Sequence, residues 1–322
     1  VSAQHKEIAI LNIEQALNWI VEREQIRARR EAGLPPPWTD DLIFQQYSFC
    51  NVEHENDRVT KYIATEWRDP HADDPQLWFA MTVARLINWP DTLAELGYPV
   101  PWNPGRFASV IAGRMARKET AFGPGYVISN GGSSQAKASY LASKVLEPMW
   151  RVRGWYMTPD PGKSLMAYCD KLRQFEGIGS FIAGQIIADL KYVPALRSSP
   201  DWMSFVVPGP GSRRGLNRIL GRPVDNGWAS DAAWREAFRR FEAAIRPELE
   251  RIGLGHLHAQ DLQNVLCETD KYLRAVTGEG KPKRRYPGGK NSGRSTTKGV
   301  LMRDQAISTE IAGHITNIGE QA

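Results

Sequence analysis

The chain has 322 residues, 42% of them hydrophobic, and a formal net charge of +5. That length can bury one large core or two smaller ones, and mild basicity is compatible with a polyanionic partner without demanding one. Cys50, Cys169 and Cys267 lie far apart with no C-x-x-C pairing, which argues against a disulfide framework or a cysteine zinc site and for a reducing cytosol.

The polar start leads into an amphipathic segment, so a cytoplasmic protein without a signal peptide is expected, and no run is apolar enough to span a bilayer. Residues 8–30 place Ile8, Leu11, Ile13, Leu17, Ile20 and Val21 on a charged background, which predicts an amphipathic helix ending in Arg27, Arg29 and Arg30. The run GLPPPW stops it, because consecutive prolines cannot continue a helix. Residues 1–37 therefore read as an accessory helix and a proline-rich linker. Residues 38–67 hold a core-facing run with Phe44, Tyr47 and Phe49, then the polar run NVEHENDRVT and an apolar helix through Val59, Tyr62, Ile63 and Trp67. Asn51, Asp57, Arg58 and Thr60 can line a site, or mark a solvated helix start capped by Asn56 or Asp57. Residues 76–89 predict a strongly apolar helix stopped by Pro90, with Arg85 and Asn88 three apart on one face. Short helices are expected at 91–96 and 104–118. A glycine-rich loop follows, from which Ser133 or Ser134 caps a helix running to Trp150.

The run LRQFEGIGSFIAGQIIADLKY, residues 172–192, predicts a helix, a Gly-Ile-Gly turn and a second helix. Gly177 and Gly179 allow positive φ and close approach, Ser180 can cap, and Phe181, Ile182, Gln185, Ile186 and Asp189 follow at helical spacing. A glycine turn opening a helix points amides outward at the positive end of the dipole. This is the helix-hairpin-helix pattern that grips a DNA strand by its phosphates, though an ordinary turn has the same glycines. Asp201 lies 22 residues beyond Gly179. The run from Gly209 through Pro210, Gly211, Ser212, Arg213 and Arg214 to Gly215 combines amide-exposing residues with two arginines, a composition suited to an anion. Residues 231–252 and 258–276 predict two more amphipathic helices, the second carrying the charged run CETDKY; His256 and His258 beside it are two apart and make a poor metal pair. Residues 278–299 are Gly/Pro-rich and cationic, with Lys281, Arg284 and Arg285 suited to DNA phosphates or to a solubilising tail, and residues 301–318 predict a last helix.

Four stretches, FCNVEHENDRVTKYI, FEGIGSFIAGQIIADLKY, PGPGSRRGLNR and LCETDKYLR, occur in this order. Together they resemble the alpha-glutamyl/putrescinyl-thymine pyrophosphorylase family, which also covers the helical domain of hydroxymethyluracil DNA kinases and whose standalone members are amino acid:DNA transferases. The resemblance runs from about residue 38 to 285, and His54 departs from it where arginine is expected. It implies an all-α fold of the helix-hairpin-helix DNA glycosylase class. Residues 38–277 would form the catalytic domain and 278–322 a basic flexible segment with a terminal helix. The implied activity is thymine hypermodification in bacteriophage DNA. A kinase first pyrophosphorylates 5-hydroxymethyluracil in double-stranded DNA; the transferase then displaces pyrophosphate with an amine, commonly that of a free amino acid such as glycine. No P-loop run occurs, so the chain resembles the transferase rather than the kinase.

That chemistry needs a base for the ammonium, charge neutralisation for the leaving group and a flipped-out target base. Asp201 is the position most like the glycosylase aspartate, with Asp57, Glu268 and Asp270 as rivals. Gly209, Gly211, Ser212, Arg213 and Arg214 suit the pyrophosphate, and Asn51, Arg58, Phe49, Gln185 and Lys271 suit the amino acid or the base. Tyr47, Phe181 or Trp202 are further stacking candidates, while Gly177, Gly179, Ser180, Lys281, Arg284 and Arg285 suit the DNA backbone. No protein metal site is expected, and any Mg²⁺ would enter through the pyrophosphate. The alternatives are a glycosylase acting on modified thymine and a non-catalytic DNA-binding partner of the kinase.

Overall fold

A computed structural model of the chain describes residues 3–124, 132, 134–154, 162–280 and 282, with side chains from residue 13 onward. Among them the fold is all helical and contains no β-strand. The helices are α1 Ala3–Glu31, α2 Leu42–Gln46, α3 Arg58–Ile63, α4 Leu77–Ile87, α5 Pro90–Leu96, α6 Pro104–Ala116, α7 Lys137–Tyr140 and α8 Glu147–Arg151. Then come α9 Leu165–Leu172, α10 Ser180–Leu190, α11 Pro210–Ile219, α12 Asp231–Arg251 and α13 Ala259–Thr277. Two π-helical turns, Ala64–Arg68 and Leu141–Leu146, continue α3 and α7. Lys281, Arg284, Arg285, Ser133 and the helix expected at 301–318 lie outside the described residues.

The chain divides into two compact units. One combines Val1–Val52, Pro210–Leu257 and Asp261–Ala322; the other is Glu53–Gly209 with His258–Gln260. In the first, α1 packs on α11 and α12. The amphipathic period of α12 buries Trp234, Phe238, Phe241, Ile245 and Leu249, and Ser230 caps its start through Ala233 N, 3.1 Å away. Trp19, Phe44 and Phe49 of the same unit meet in one aromatic cluster with Tyr272, whose hydroxyl donates to Asp41 at 2.6 Å.

α11 sits unusually close to α13 because two of its residues lack side chains. A β-carbon on Gly211 would lie 2.2 Å from Cys267 Sγ, and one on Gly215 would lie 2.0 Å from the Leu266 carbonyl oxygen. The stretch expected as an exposed anion loop is therefore the body of α11: Pro210 presets φ at its first position, and Ser212, Gly215 and Leu216 are buried.

In the second unit α10 lies against α4 and α9. Every residue of α4 is buried, and Asn88 ends it in the left-handed conformation (φ 50°), which asparagine tolerates better than most residues. The turn between α9 and α10 meets expectation at Gly177 and departs from it at Gly179 and Ser180. Gly177 has φ +77°, and a β-carbon there would meet Val145 Cγ2 at 2.8 Å. Gly179 has φ −74° and is itself the residue that starts α10, so Ser180 lies inside the helix rather than capping it. Likewise α7 begins after Ala136 with no side-chain cap, and the predicted serine cap is not formed.

Candidate active site

In the Glu53–Gly209 unit a set of buried polar side chains gathers around α10. Gln185 and Asp189 stand one helical turn apart on its buried face. Asp189 accepts from Arg85 of α4 with both oxygens, one through Nε at 2.6 Å, and both side chains are 1% exposed. Arg85 also donates to Thr60 Oγ1 at 3.1 Å and Asn88 Oδ1 at 3.4 Å. A buried guanidinium persists only with such a fork-to-carboxylate match and its remaining donors bonded. His54 Nε2 lies 3.1 Å from Gln185 Oε1. Burial holds its imidazole well below the usual pKa, and the charges of Arg85, His258 and Lys191 add to this.

Beside this pair, the π turn Ala64–Arg68 ends in an arginine whose Nη1 donates to Glu55 Oε2 at 2.8 Å and whose Nε donates to Asp69 at 2.7 Å. The Arg68 guanidinium lies 4.7 Å from the Tyr192 ring centre, and the Tyr192 hydroxyl pairs with His258 Nε2 at 2.9 Å. Lys191, with no exposed surface, donates to the Trp202 carbonyl at 3.1 Å and sits 3.9 Å over the Trp202 ring. Glu55 stands out among the acids: burial raises its pKa, the Asp189 charge adds to the rise, and Arg68 only partly offsets it. Arg68, Lys191 and Tyr192 do not stand out by spacing; Glu55 lies in the polar run of Asp57 and Arg58, within the FCNVEHENDRVTKYI stretch that carries the family resemblance, but is given no role there.

The residues singled out from sequence fall in both units. Asp201 accepts from the first amides of α9, Leu165 N at 2.6 Å and Met166 N at 3.0 Å. It therefore caps a helix from 36 residues away. Asp57 precedes α3, and Arg58 is exposed, 3.7 Å from Asp91 and 5.8 Å from the Trp89 ring centre. Gln185 is buried against His54, and Gly209 is buried at the end of its unit. Gly177 and Gly179 are exposed in the turn before α10.

In the other unit the FCN and CETDK runs meet. Glu268 accepts from Cys50 N and Lys271 Nζ, each at 2.9 Å. Lys271 reaches the Ser48 carbonyl at 2.7 Å and lies 4.7 Å from the Phe49 ring centre. Asn51 bonds Arg23 through its side chain and Asn264 through its carbonyl. Asp270, 1% exposed, faces Arg214, Arg218 and Arg274. Arg213 pairs with Asp231, and Arg214 also with Asp225. Cys267 beside them has its thiol pushed up to about 12 by burial and the Glu268 charge. Among the described residues no group of three or more His, Cys, Asp or Glu side chains is placed to hold a metal ion, and no helix is long and apolar enough to cross a membrane.

An all-helical fold with a buried arginine–aspartate pair under a glycine-turn helix meets its match in one family model, that of the 5-hmdU DNA kinase helical domain, which aligns with residues 12–281. The chain belongs to that family. It is 24% identical to the 5-hmdU DNA kinase of Bacillus phage SP10, an alignment covering 81% of this chain and 44% of the phage protein. The chain thus spans less than half the length of that relative. No solved structure matches it.

Proposed function

We propose that the chain acts in thymine hypermodification of phage DNA, displacing pyrophosphate from 5-pyrophosphoryloxymethyluracil with the amine of a free amino acid such as glycine. The observation that carries this reading is the family match over residues 12–281. The relatedness is to the helical domain of a 5-hmdU DNA kinase. A functionally coupled kinase would supply the activated base, and the double-stranded DNA carrying it would be the macromolecular substrate.

On this reading the exposed turn before α10 meets a DNA phosphate. Gly179, the residue before α10, has no side chain to cap it, and the first α10 amides lie at the positive end of the helix dipole. Arg213, Arg214 and the start of α11 neutralise the departing pyrophosphate. Arg214 would exchange Asp225, whose side chain is 86% exposed, for the anion; an exposed pair is worth about 0–1 kcal/mol, so the exchange costs little. Lys281, Arg284 and Arg285 add phosphate contacts. A divalent cation, where needed, arrives on the pyrophosphate.

The test is mass spectrometry of nucleosides from DNA containing pyrophosphorylated 5-hydroxymethyluracil, incubated with the protein and single amino acids. An amine-linked thymidine and released pyrophosphate are expected. Abasic sites without an adduct would make the chain a glycosylase, and unchanged DNA retained in a complex would make it a non-catalytic partner.

A further inference from the structure

We propose that Glu55 is the residue that takes the proton from the incoming ammonium. The inference rests on the amine-transfer reading and names the base that reading needs.

A base must present an oxygen lone pair that no protein donor has already claimed. Asp201 and Asp270, weighed from the sequence, and Asp189 nearby do not, and Glu268 has one oxygen so occupied. Asp201 has one α9 amide on each oxygen. Asp270 is spanned by Arg214, Arg218 and Arg274. Asp189 has both oxygens on Arg85, and Glu268 Oε2 takes an amide and an ammonium. Donors on a carboxylate lower its proton affinity as well as occupying it. At Glu55, Arg68 holds Oε2 at 2.8 Å, and Oε1 has no hydrogen-bond partner although it is shielded from water, a state shared only by Glu24 Oε1 among the described carboxylates. A buried oxygen left without a donor is rare in a folded protein and calls for an explanation such as catalysis. The side chain as a whole remains 27% exposed, so rotation of the carboxyl group would bring Oε1 to a ligand.

The setting also fits. Arg68 sits at the end of a π turn, a local distortion frequent at functional sites. The charged groups around Glu55 are Arg68 and Asp69 from that turn, Arg85 from α4 and Asp189 from α10. Arg85 is matched by Asp189, and Arg68 is shared between Glu55 and Asp69, so the Glu55 proton affinity is set mainly by burial. Arg68 is a positioning residue that pins one oxygen and leaves the other for the amine.

The step balances as follows. The ammonium gives a proton to Glu55, leaving a neutral amine and a carboxylic acid. The nitrogen pair forms the C–N bond to the exocyclic methylene while the C–O bond breaks, and pyrophosphate leaves with that electron pair. The product is a secondary ammonium, and Glu55 returns its proton to solvent.

The experiment measures glycine incorporation into pyrophosphorylated DNA by the full chain, for wild type, Glu55→Gln and Arg68→Met, across pH 6.5 to 9. General-base loss is expected to lower the Glu55→Gln rate about 10²–10⁴-fold near neutral pH. The deficit shrinks as pH rises, because glycine then deprotonates without help. In Arg68→Met the acidic limb of kcat/KM moves to higher pH, since a cation that favoured the carboxylate has gone. A Glu55→Gln rate within threefold of wild type, or a deficit constant with pH in a variant whose thermal melt is unchanged, overturns the proposal alone. Wild type that forms no amine adduct overturns the transfer reading and this proposal with it.

Discussion

The Arg85–Asp189 pair invites the most direct physical test. Both side chains are 1% exposed and joined through both carboxylate oxygens. Asp189→Asn keeps the shape and removes the negative charge, leaving a buried guanidinium that keeps Thr60 and Asn88 but loses its two-oxygen carboxylate partner. Breaking a buried pair from one side costs about 3–5 kcal/mol, because desolvation has already been suffered and the compensating attraction is gone. At about 2–4 °C per kcal/mol for a domain of 150–250 residues, the melting temperature should fall by about 6–20 °C. The double variant Arg85→Met/Asp189→Leu replaces the pair with apolar side chains and should lie near wild type or up to about 4 kcal/mol above it. Equilibrium urea unfolding followed by tryptophan fluorescence and circular dichroism gives all corners of the cycle. A loss below about 1 kcal/mol in Asp189→Asn, or a double variant as unstable as the two single losses added, would refute the argument.

Three further outcomes follow from the geometry. Gly177→Ala should destabilise by about 1–3 kcal/mol and weaken DNA binding, since its φ is +77° and a β-carbon meets Val145 at 2.8 Å; Gly179→Ala, at φ −74° with open space, should change stability by under about 1 kcal/mol in the same unfolding assay. Gly211→Ala and Gly215→Ala should each destabilise by at least about 1–3 kcal/mol. A Cys267→Ala background should recover much of the first, whose clash is with the sulfur, and none of the second, whose clash is with the Leu266 carbonyl. The His54 imidazole stays neutral well below 6.5 when folded, whereas the unfolded chain takes up a proton near 6.5, so stability is full above that pH and falls as pH drops through it. The slope, at most about 1.4 kcal/mol per pH unit, should flatten in His54→Asn between about pH 7.5 and 5 by denaturant titration; an unchanged slope would assign the acid loss to other groups.

Helices with one apolar stripe were legible from spacing. Residues 231–252 were expected and α12 spans Asp231–Arg251; residues 8–30 were expected and α1 spans Ala3–Glu31. Proline stops were legible too, as where α4 ends before Pro90. Local periodicity carries no information about partners distant in sequence, and those decide the site. The Cys50 amide meets Glu268 across 218 residues, and Arg85 meets Asp189 across 104. The two π turns are also silent, because each keeps helical spacing in the sequence while adding one residue to the ring. Gly211 and Gly215 show why composition misleads: a glycine needed for close helix packing and one needed to open an amide to an anion look alike until the neighbour is known. Glu55 was passed over because an oxygen without a donor exists only once the unit is folded.

The way the chain is shared between its units bears on its birth at the ribosome. Translation delivers residues 53–209 as an uninterrupted block, whereas the first 52 residues belong with segments made only after residue 209. Trp19 and Ile20 of α1 must wait for α11 and α12 before they are covered. A nascent chain halted near residue 209 would carry that greasy helix bare, a natural hold for a chaperone and a target for protease.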